Sequence, residues 1–321
     1  MRILCTLTTI ILLLLLTTAC SKPSAPVSKQ TLFNDIQIYT SPNKDGHITT
    51  KSIEAAFDSQ RLSIPGNNDM NKPFRIRFKK VHFRVYNLAM YINNDLTYKI
   101  IKKYPKFGAL TPLTMSIWED KDANMNIATL TIYGMSRATG IPLNDPDLIV
   151  YNALIKKTLQ KAMPDGKFKA LALPEKPLKQ SFAIDMVANV EKGVSPEDFI
   201  EDFEAEFEAE LEPLGFLFPN YTNLQEEIFD DYNYNEYDFY HTYSICKFDV
   251  IFPVSKLHPE AGAWAPCSFY LYKKKNDLKI HMGFLGVENW IKTLRIKDKE
   301  SIQPLKEAQG MIIKVLKEIS E

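Results

Sequence analysis

A nucleophile elbow, a phosphate-binding glycine loop, a dinucleotide glycine fingerprint and a His-Glu-x-x-His pair are all missing from this sequence, which removes the best-marked hydrolase, nucleotide-binding and zinc-protease readings. Net charge is missing too. Across 321 residues, 39 Lys and Arg stand against 39 Asp and Glu, so no global field draws the chain to nucleic acid or to an anionic membrane. Glycine is scarce at 12 residues, and with 19 prolines the composition is neither fibrous nor low-complexity. After Leu16 no apolar run approaches the roughly 18 residues needed to cross a bilayer. What is present is ordinary material for a core: 45% of the residues are hydrophobic and 24% charged, and the length suits about two domains.

The start of the chain reads as an address. Arg2 gives a short positive region, Ile3 to Leu16 an apolar run, and Thr17-Thr18-Ala19 a small-residue cleavage site, so residues 1–19 are expected to be an export signal. Cys20 directly after them resembles the bacterial lipoprotein box, which implies that Cys20 is acylated and anchors the protein to a membrane in an extracytoplasmic space. Ser21, where an Asp would imply retention, favours the outer over the inner membrane of a periplasm-facing protein. Residues 20–31, rich in Ser, Pro and Lys, read as the lipidated tether.

Beyond the tether the chain repeats itself. Tyr104-Pro-Lys-Phe-Gly-Ala-Leu-Thr-Pro112 returns as His258-Pro-Glu-Ala-Gly-Ala-Trp-Ala-Pro266, and 259 − 105, 262 − 108 and 266 − 112 all give 154. The closing helices follow the same interval: Leu148, Tyr151 and Thr158 answer to Ile302, Leu305 and Ile312. We therefore read a first repeat domain over 32–166, a linker over 167–180 containing Pro174 and Pro177, and a second repeat domain over 181–321.

Periodicity places the elements. Expected strands are Ile36 to Tyr39, Phe74 to Phe78, Val81 to Tyr91, Leu113 to Trp118, Ile127 to Tyr133, Phe182 to Val190, Tyr240 to Phe252, Cys267 to Tyr272 and Leu278 to Leu285. Helices are expected from Thr50, over Leu96 to Tyr104, from Asp145 with Pro146 at the first position, from Ser195-Pro196 to a left-handed Gly215, and from Ser301 as cap. Asn67 to Asn71 reads as loop.

The second half, with Ser244-Ile-Cys246, the Pro259-x-x-Gly262 loop and an apolar strand from Cys267 to Tyr272, resembles the domain of unknown function 302 family. The resemblance covers nearly all of the chain after the tether as two tandem copies. It implies an α+β fold in which each copy is a curved antiparallel sheet carrying two main helices, similar to the TATA-binding-protein fold. The first copy lacks both cysteines and keeps the Trp118-Glu119 ending that becomes Tyr272-Lys273 in the second. The resemblance implies no established activity.

Three groups of side chains are candidates for function. Cys246 and Cys267 form a disulfide, an inert buried pair, or a redox or metal-handling thiol pair. His241 and His258 stand near enough in sequence to join a metal shell but match no zinc spacing, so no metal and no cofactor are assigned. Tyr104, Trp118, Glu119, His258, Trp264 and Tyr272 surround the repeated loops with aromatic rings and polar handles, as a ligand-facing set or as packing. A basic segment from Lys72 to Arg84 and an acidic helix from Glu201 to Glu212 are either solvated faces or surfaces that attract one another. The expected function is a non-catalytic, membrane-anchored protein that binds a small ligand or protein partner, its two repeats forming a pseudo-dimer; the alternative is thiol redox or metal handling at Cys246 and Cys267. Nucleic acid is not an expected partner.

Overall fold

The computed structural model describes residues 34–171, 178–189 and 193–320; the leader, Cys20, the tether and the centre of the expected linker lie outside the described residues. The first half runs β1 (Ile36–Pro42), α1 (Thr50–Asp58), β2 (Ser63–Asp69), α2 (Asn71–Phe78), β3 (Tyr86–Ile92), α3 (Asn94–Lys103), a 3-10 turn (Pro105–Leu110), β4 (Leu113–Glu119), β5 (Asn124–Leu130), α4 (Ile132–Thr139), α5 (Pro146–Ala162) and β6 (Lys167–Phe168). The second runs β7 (Ala183–Asn189), α6 (Pro196–Leu211), β8 (Leu217–Asn223), a π turn (Gln225–Phe229) and a 3-10 turn (Asp230–Tyr232), β9 (Tyr237–Cys246), α7 (Phe248–Leu257), a 3-10 turn (Pro259–Ala263), β10 (Cys267–Lys274), β11 (Lys279–Leu285), α8 (Glu288–Thr293) and α9 (Lys299–Ser320).

The fold is α+β, with one antiparallel sheet per half. The first sheet is ordered β2-β3-β4-β5-β1-β6, and the second, taken from its β8 edge, is β8-β9-β10-β11-β7. Over five strands these are one topology, and β6 has no counterpart among the described residues. From β2 onward the interval is constant: 217 − 63 for β8 and β2, 248 − 94 for α7 and α3, and 267 − 113 for β10 and β4 each give 154. Upstream the halves differ, since α6 has 16 residues and α1 has 9.

Local chemistry sets the helix starts. Asp145 accepts from the backbone N–H groups of Asp147 and Leu148 with Pro146 at the first position, and Thr49 and Ser52 cap α1 reciprocally. Ser195 accepts from Asp198 N–H at 3.0 Å, and past α6 the chain turns at Gly215 with φ +84°, the left-handed conformation that glycine tolerates best. Each sheet then buries both faces. Tyr91 meets Phe57 of α1 at 5.3 Å, while the adjacent Met90, on the opposite side of the pleat, reaches Ser244 of β9. In the second half Phe207 of α6 packs on Phe269 at 5.0 Å, and Ser244 faces back toward the first half. Burying each such side chain stabilises the fold by about 1.5–3 kcal/mol.

Several expectations from periodicity are corrected. Phe74 to Phe78 is helix, not strand: Phe74 and Phe78 are four apart, so alternation and a helical face are satisfied by the same two rings. Both rings pack on Phe252, and Ile76 is left 66% exposed on the far side. Asn67 is not loop but part of β2, paired with Ala89. The expected strand over Val81 to Tyr91 begins only at Tyr86, and the one over Ile127 to Tyr133 ends at Leu130, where Thr131 caps α4. Tyr240 to Phe252 splits into β9 and α7, because the chain leaves the sheet after Cys246. Asp298, not Ser301, supplies the carboxylate that accepts the Ser301 N–H at the head of α9. The expected linker begins with a strand, since Phe168 of β6 pairs with Tyr39. Among the described residues no helix is long and apolar enough to cross a membrane.

Candidate functional site

The repeated loops do not simply start a strand in their own half. Each inserts into the other half, and the contacts come in matched pairs. Tyr86 donates to the Pro259 carbonyl at 3.5 Å, and Tyr240, its counterpart, donates to the Pro105 carbonyl. Thr114 donates to the Ala263 carbonyl at 3.0 Å, and its counterpart Ser268 donates into the opposite loop at a different residue, the Pro112 carbonyl, at 3.2 Å. Phe78 stacks on Phe252 and Tyr232 on Tyr98, both with centroids 4.0 Å apart. The loop glycines make the approach possible. A Cβ at Gly108 would lie 2.7 Å from the Tyr270 Cβ, and one at Gly262 would lie 2.6 Å from Leu88 Cδ2. Contacts in which i meets j and the counterpart of i meets the counterpart of j are those of a two-fold interface.

At the rim of this junction lies a cleft of about 430 Å³ between the edge strands β2 and β8. Met70, Pro73 and Leu88 line it from the first half; Leu217, Phe218 and Phe248 line it from the second. Asn68 and Asp69 are its polar margin, and Cys246 reaches its wall. The lining is chiefly apolar and formed by both halves.

The residues singled out from the sequence are not gathered into one place. Tyr104 ends α3, half-buried, with the Lys103 ammonium 5.5 Å from its ring. Trp118 is buried at the end of β4, and next to it the Glu119 carboxylate, 5% exposed, takes both branches of the Arg84 guanidinium. The change from Glu119 to Lys273 in the second half is answered at the partner position: Lys273 pairs with Asp238, which stands where Arg84 stands in the first half. Tyr272 is buried in an aromatic stack with Tyr240, Tyr270 and His281, and its hydroxyl is pushed up to about 12 by burial. His258 lies 3.7 Å from Glu260 and 3.5 Å from Asp298. The Glu260 carboxylate foremost, then Asp298, hold the imidazole above its ordinary pKa against the opposing effect of burial. Trp264 is 4% exposed within the junction, its indole N–H unpartnered.

Cys246 and Cys267 are free thiols. Cys267 is paired in register with Ile245, one residue away from Cys246, and burial pushes both thiols up to about 12. The Nδ1 of His241 lies 2.6 Å from Glu204, which also accepts from Tyr243. Among the described residues no group of three or more His, Cys, Asp or Glu is arranged to hold a metal ion. Nor, among them, does an ion pair join the basic segment to the acidic helix; Arg77 pairs with Asp249 of α7.

One group escaped the sequence reading. Arg137 and Asp35, with side chains 3% and 2% exposed, form an ion pair at the junction. Arg137 also donates to Asn289 at 2.7 Å and to the Gln180 carbonyl, and Thr293 donates to Asp35 at 2.7 Å. Its guanidinium carbon is 5.6 Å from the Phe182 ring and 5.9 Å from that of Trp264. No sequence signal marks it, because the counterpart of Arg137 is Ile291 and the repeat is silent there.

Residues 38–163 match the model of a family described as a domain of unknown function, DUF302. A solved structure described as an uncharacterized conserved protein DUF302 from Bacillus stearothermophilus is similar at 14% identity, over 42% of this chain and 98% of that chain, with a TM-score of 0.30. None of the curated proteins matches the sequence.

Proposed function

We propose that the protein is a non-catalytic binding protein whose second half is a further copy of the family domain, the two copies forming a pseudo-dimer that holds a small apolar or amphipathic ligand in the cleft between β2 and β8. The observation that carries this reading is the composition of the cleft wall: Leu88 and Met70 from one half and Leu217, Phe218 and Phe248 from the other enclose a space of about 430 Å³, within the usual range for small-molecule sites. The leader and Cys20 support an exported, lipid-anchored protein on the outer membrane, facing the periplasm. Thiol redox or metal chemistry at Cys246 and Cys267 needs an accessible thiolate, and the upward push of both thiols by burial weighs against it.

The test uses a fluorescent apolar probe, 1-anilinonaphthalene-8-sulfonate, and solvent extraction of protein purified from its native host. Phe218→Asp is expected to weaken probe binding at least ten-fold in protein shown by circular dichroism to be folded, with some loss of stability because the ring also packs on Phe207 at 5.7 Å, and the extract is expected to contain a stoichiometric small molecule absent from the variant. Unchanged probe binding in Phe218→Asp, with the wild-type extract empty, overturns the reading.

A further inference from the structure

The chain is neutral as a whole, but its charge is unevenly spread. Residues 34–166 hold 18 Lys and Arg against 12 Asp and Glu, whereas residues 181–321 hold 14 against 26, so the two halves are of opposite sign. Much of the basic excess lies in α2 and the segment after it, where Lys72, Arg75, Arg77, Lys79, Lys80 and Arg84 occur with no acid among them.

Helical geometry divides these side chains. Phe74 and Phe78 turn toward Phe252 of the second half, with ring centroids 5.1 and 4.0 Å away. Lys72, Arg75, Ile76 and Lys79 follow one another at helical spacing in a second stripe, and all four are exposed. Arg77 is occupied by Asp249 and Arg84 by Glu119, whereas among the described residues Lys72, Arg75, Lys79 and Lys80 take part in no ion pair. Ile76, in the middle of the stripe, is 66% exposed. An aliphatic side chain set among unpaired cations suits a layer of anionic headgroups, where the cations meet phosphates and the aliphatic group enters the acyl boundary.

The second half reverses the pattern. At the interval of 154, Glu226, Phe229, Asp230 and Asn233 take the places of Lys72, Arg75, Ile76 and Lys79, and Phe229 is fully buried. An anionic surface therefore attracts one half and repels the other, which selects one orientation of the molecule upon it.

We propose that the outward face of α2 docks on an anionic phospholipid bilayer, with Lys72, Arg75, Lys79 and Lys80 on the headgroup phosphates and Ile76 inserted between them. Each Lys or Arg near such a surface strengthens binding by roughly five-fold. Four of them make a contact that is weak from free solution and effective once a lipid holds the protein at the surface. The 14 residues from Cys20 to Asn34 reach at most about 50 Å. From the start of β1 to Tyr86, which follows α2, the sheet spans roughly 20 Å, three strand spacings across and four residues along. The tether argument rests on acylation of Cys20; the docking face does not.

The test is co-sedimentation of the chain from residue 20, carrying Cys20→Ala so that no lipid contributes. One set of vesicles holds phosphatidylethanolamine and phosphatidylglycerol at about 7 to 3, and the other holds phosphatidylcholine alone. Binding to the anionic vesicles is expected to be at least ten-fold tighter, and to weaken at least ten-fold as NaCl rises from about 25 to about 300 mM. Arg75→Glu with Lys79→Glu is expected to weaken it at least ten-fold. Lys157→Glu with Lys161→Glu, the same change of net charge at exposed positions of α5, is expected to leave it within about two-fold, with both double variants folded by circular dichroism. Ile76→Trp is expected to shift its emission to the blue on anionic vesicles only. Equal binding to the two vesicle types, or equal losses in the two double variants, overturns the proposal. Salt-sensitive self-association without vesicles, abolished by Arg75→Glu with Lys79→Glu, overturns it too and assigns the basic face to the acidic half of a second copy.

Discussion

The Ser244 hydroxyl donates to the Met90 sulfur at 3.1 Å, and the two residues are 154 positions apart, the same interval that relates the two halves from β2 onward. Equivalent positions can touch only where the relating axis passes between them. Around that axis the halves exchange their proline-bounded loops, so the contacts that bind one half to the other are made twice, in slightly different chemistry.

Adding a methyl group at either loop glycine is expected to damage the junction alike. Gly108→Ala would press on Tyr240 and Tyr270, and Gly262→Ala on Ser116 and Leu88. Overpacking of this kind costs about 1–3 kcal/mol. Urea unfolding of each variant checks it, with a smaller and a larger effect at the two sites counting against a symmetric junction.

The buried pair at the junction should respond asymmetrically to loss of one or both partners. Arg137→Met leaves Asp35 charged and enclosed, with an expected loss of about 3–5 kcal/mol. Adding Asp35→Leu removes the stranded charge and is expected to recover most of that loss. Chemical denaturation of the two variants measures the difference, and equal instability of single and double variants would contradict this account.

The reversed ion pair gives a swap experiment. Lys273→Asp alone sets a second carboxylate beside Asp238, and Asp238→Lys should then restore stability, since the first half already shows the opposite polarity on the same scaffold. The coupling expected for such a partly screened pair is about 1 kcal/mol. Melting temperatures of both single variants and of the double variant close the cycle.

His258 gives the pH dependence. Its pKa is raised in the folded state by Glu260 and Asp298, so its contribution is complete below the unfolded value of about 6.5 and fades as pH rises through the folded value. Stability of the wild type should therefore fall over the range just above neutral acidity, and His258→Asn should flatten the curve there. Glu260→Gln is expected to lower the imidazole pKa, read directly by NMR.

Both thiols should resist alkylation. At pH 7.5 a thiol held at about 12 is almost wholly protonated, so iodoacetamide should label Cys246 and Cys267 in the native protein at least a hundred-fold more slowly than in denaturant. Mass spectrometry after timed quenching reads the rates, and rapid native labelling would return the thiol-chemistry reading to consideration.

Much of the architecture was visible in the chain itself, because it rests on local rules. Asp145-Pro146 and Ser195-Pro196 announce helix starts through backbone N–H groups that need acceptors, Gly215 announces a stop, and the shared interval announces the repeat. Phe74 to Phe78 was misread because two aromatics four apart satisfy two periodicities, and only the presence of Phe252 decides between them. Where the residues of the ligand-facing set lie was not legible: Glu119 lines a cavity, whereas Trp264 and Tyr272 are buried at the junction and in the sheet, and burial depends on distant parts of the chain.

By itself, then, the sequence determined the duplicated α+β plan and the starts of its best-capped helices, since these depend on capping, periodicity and spacing along one chain. Tertiary structure alone decided that the repeated loops cross between halves, that Arg137 meets Asp35, and that Lys273 finds Asp238. Each of those depends on which distant surfaces are pressed together, and the free energy of burying a charge or an amide is set by neighbours that linear order does not reveal.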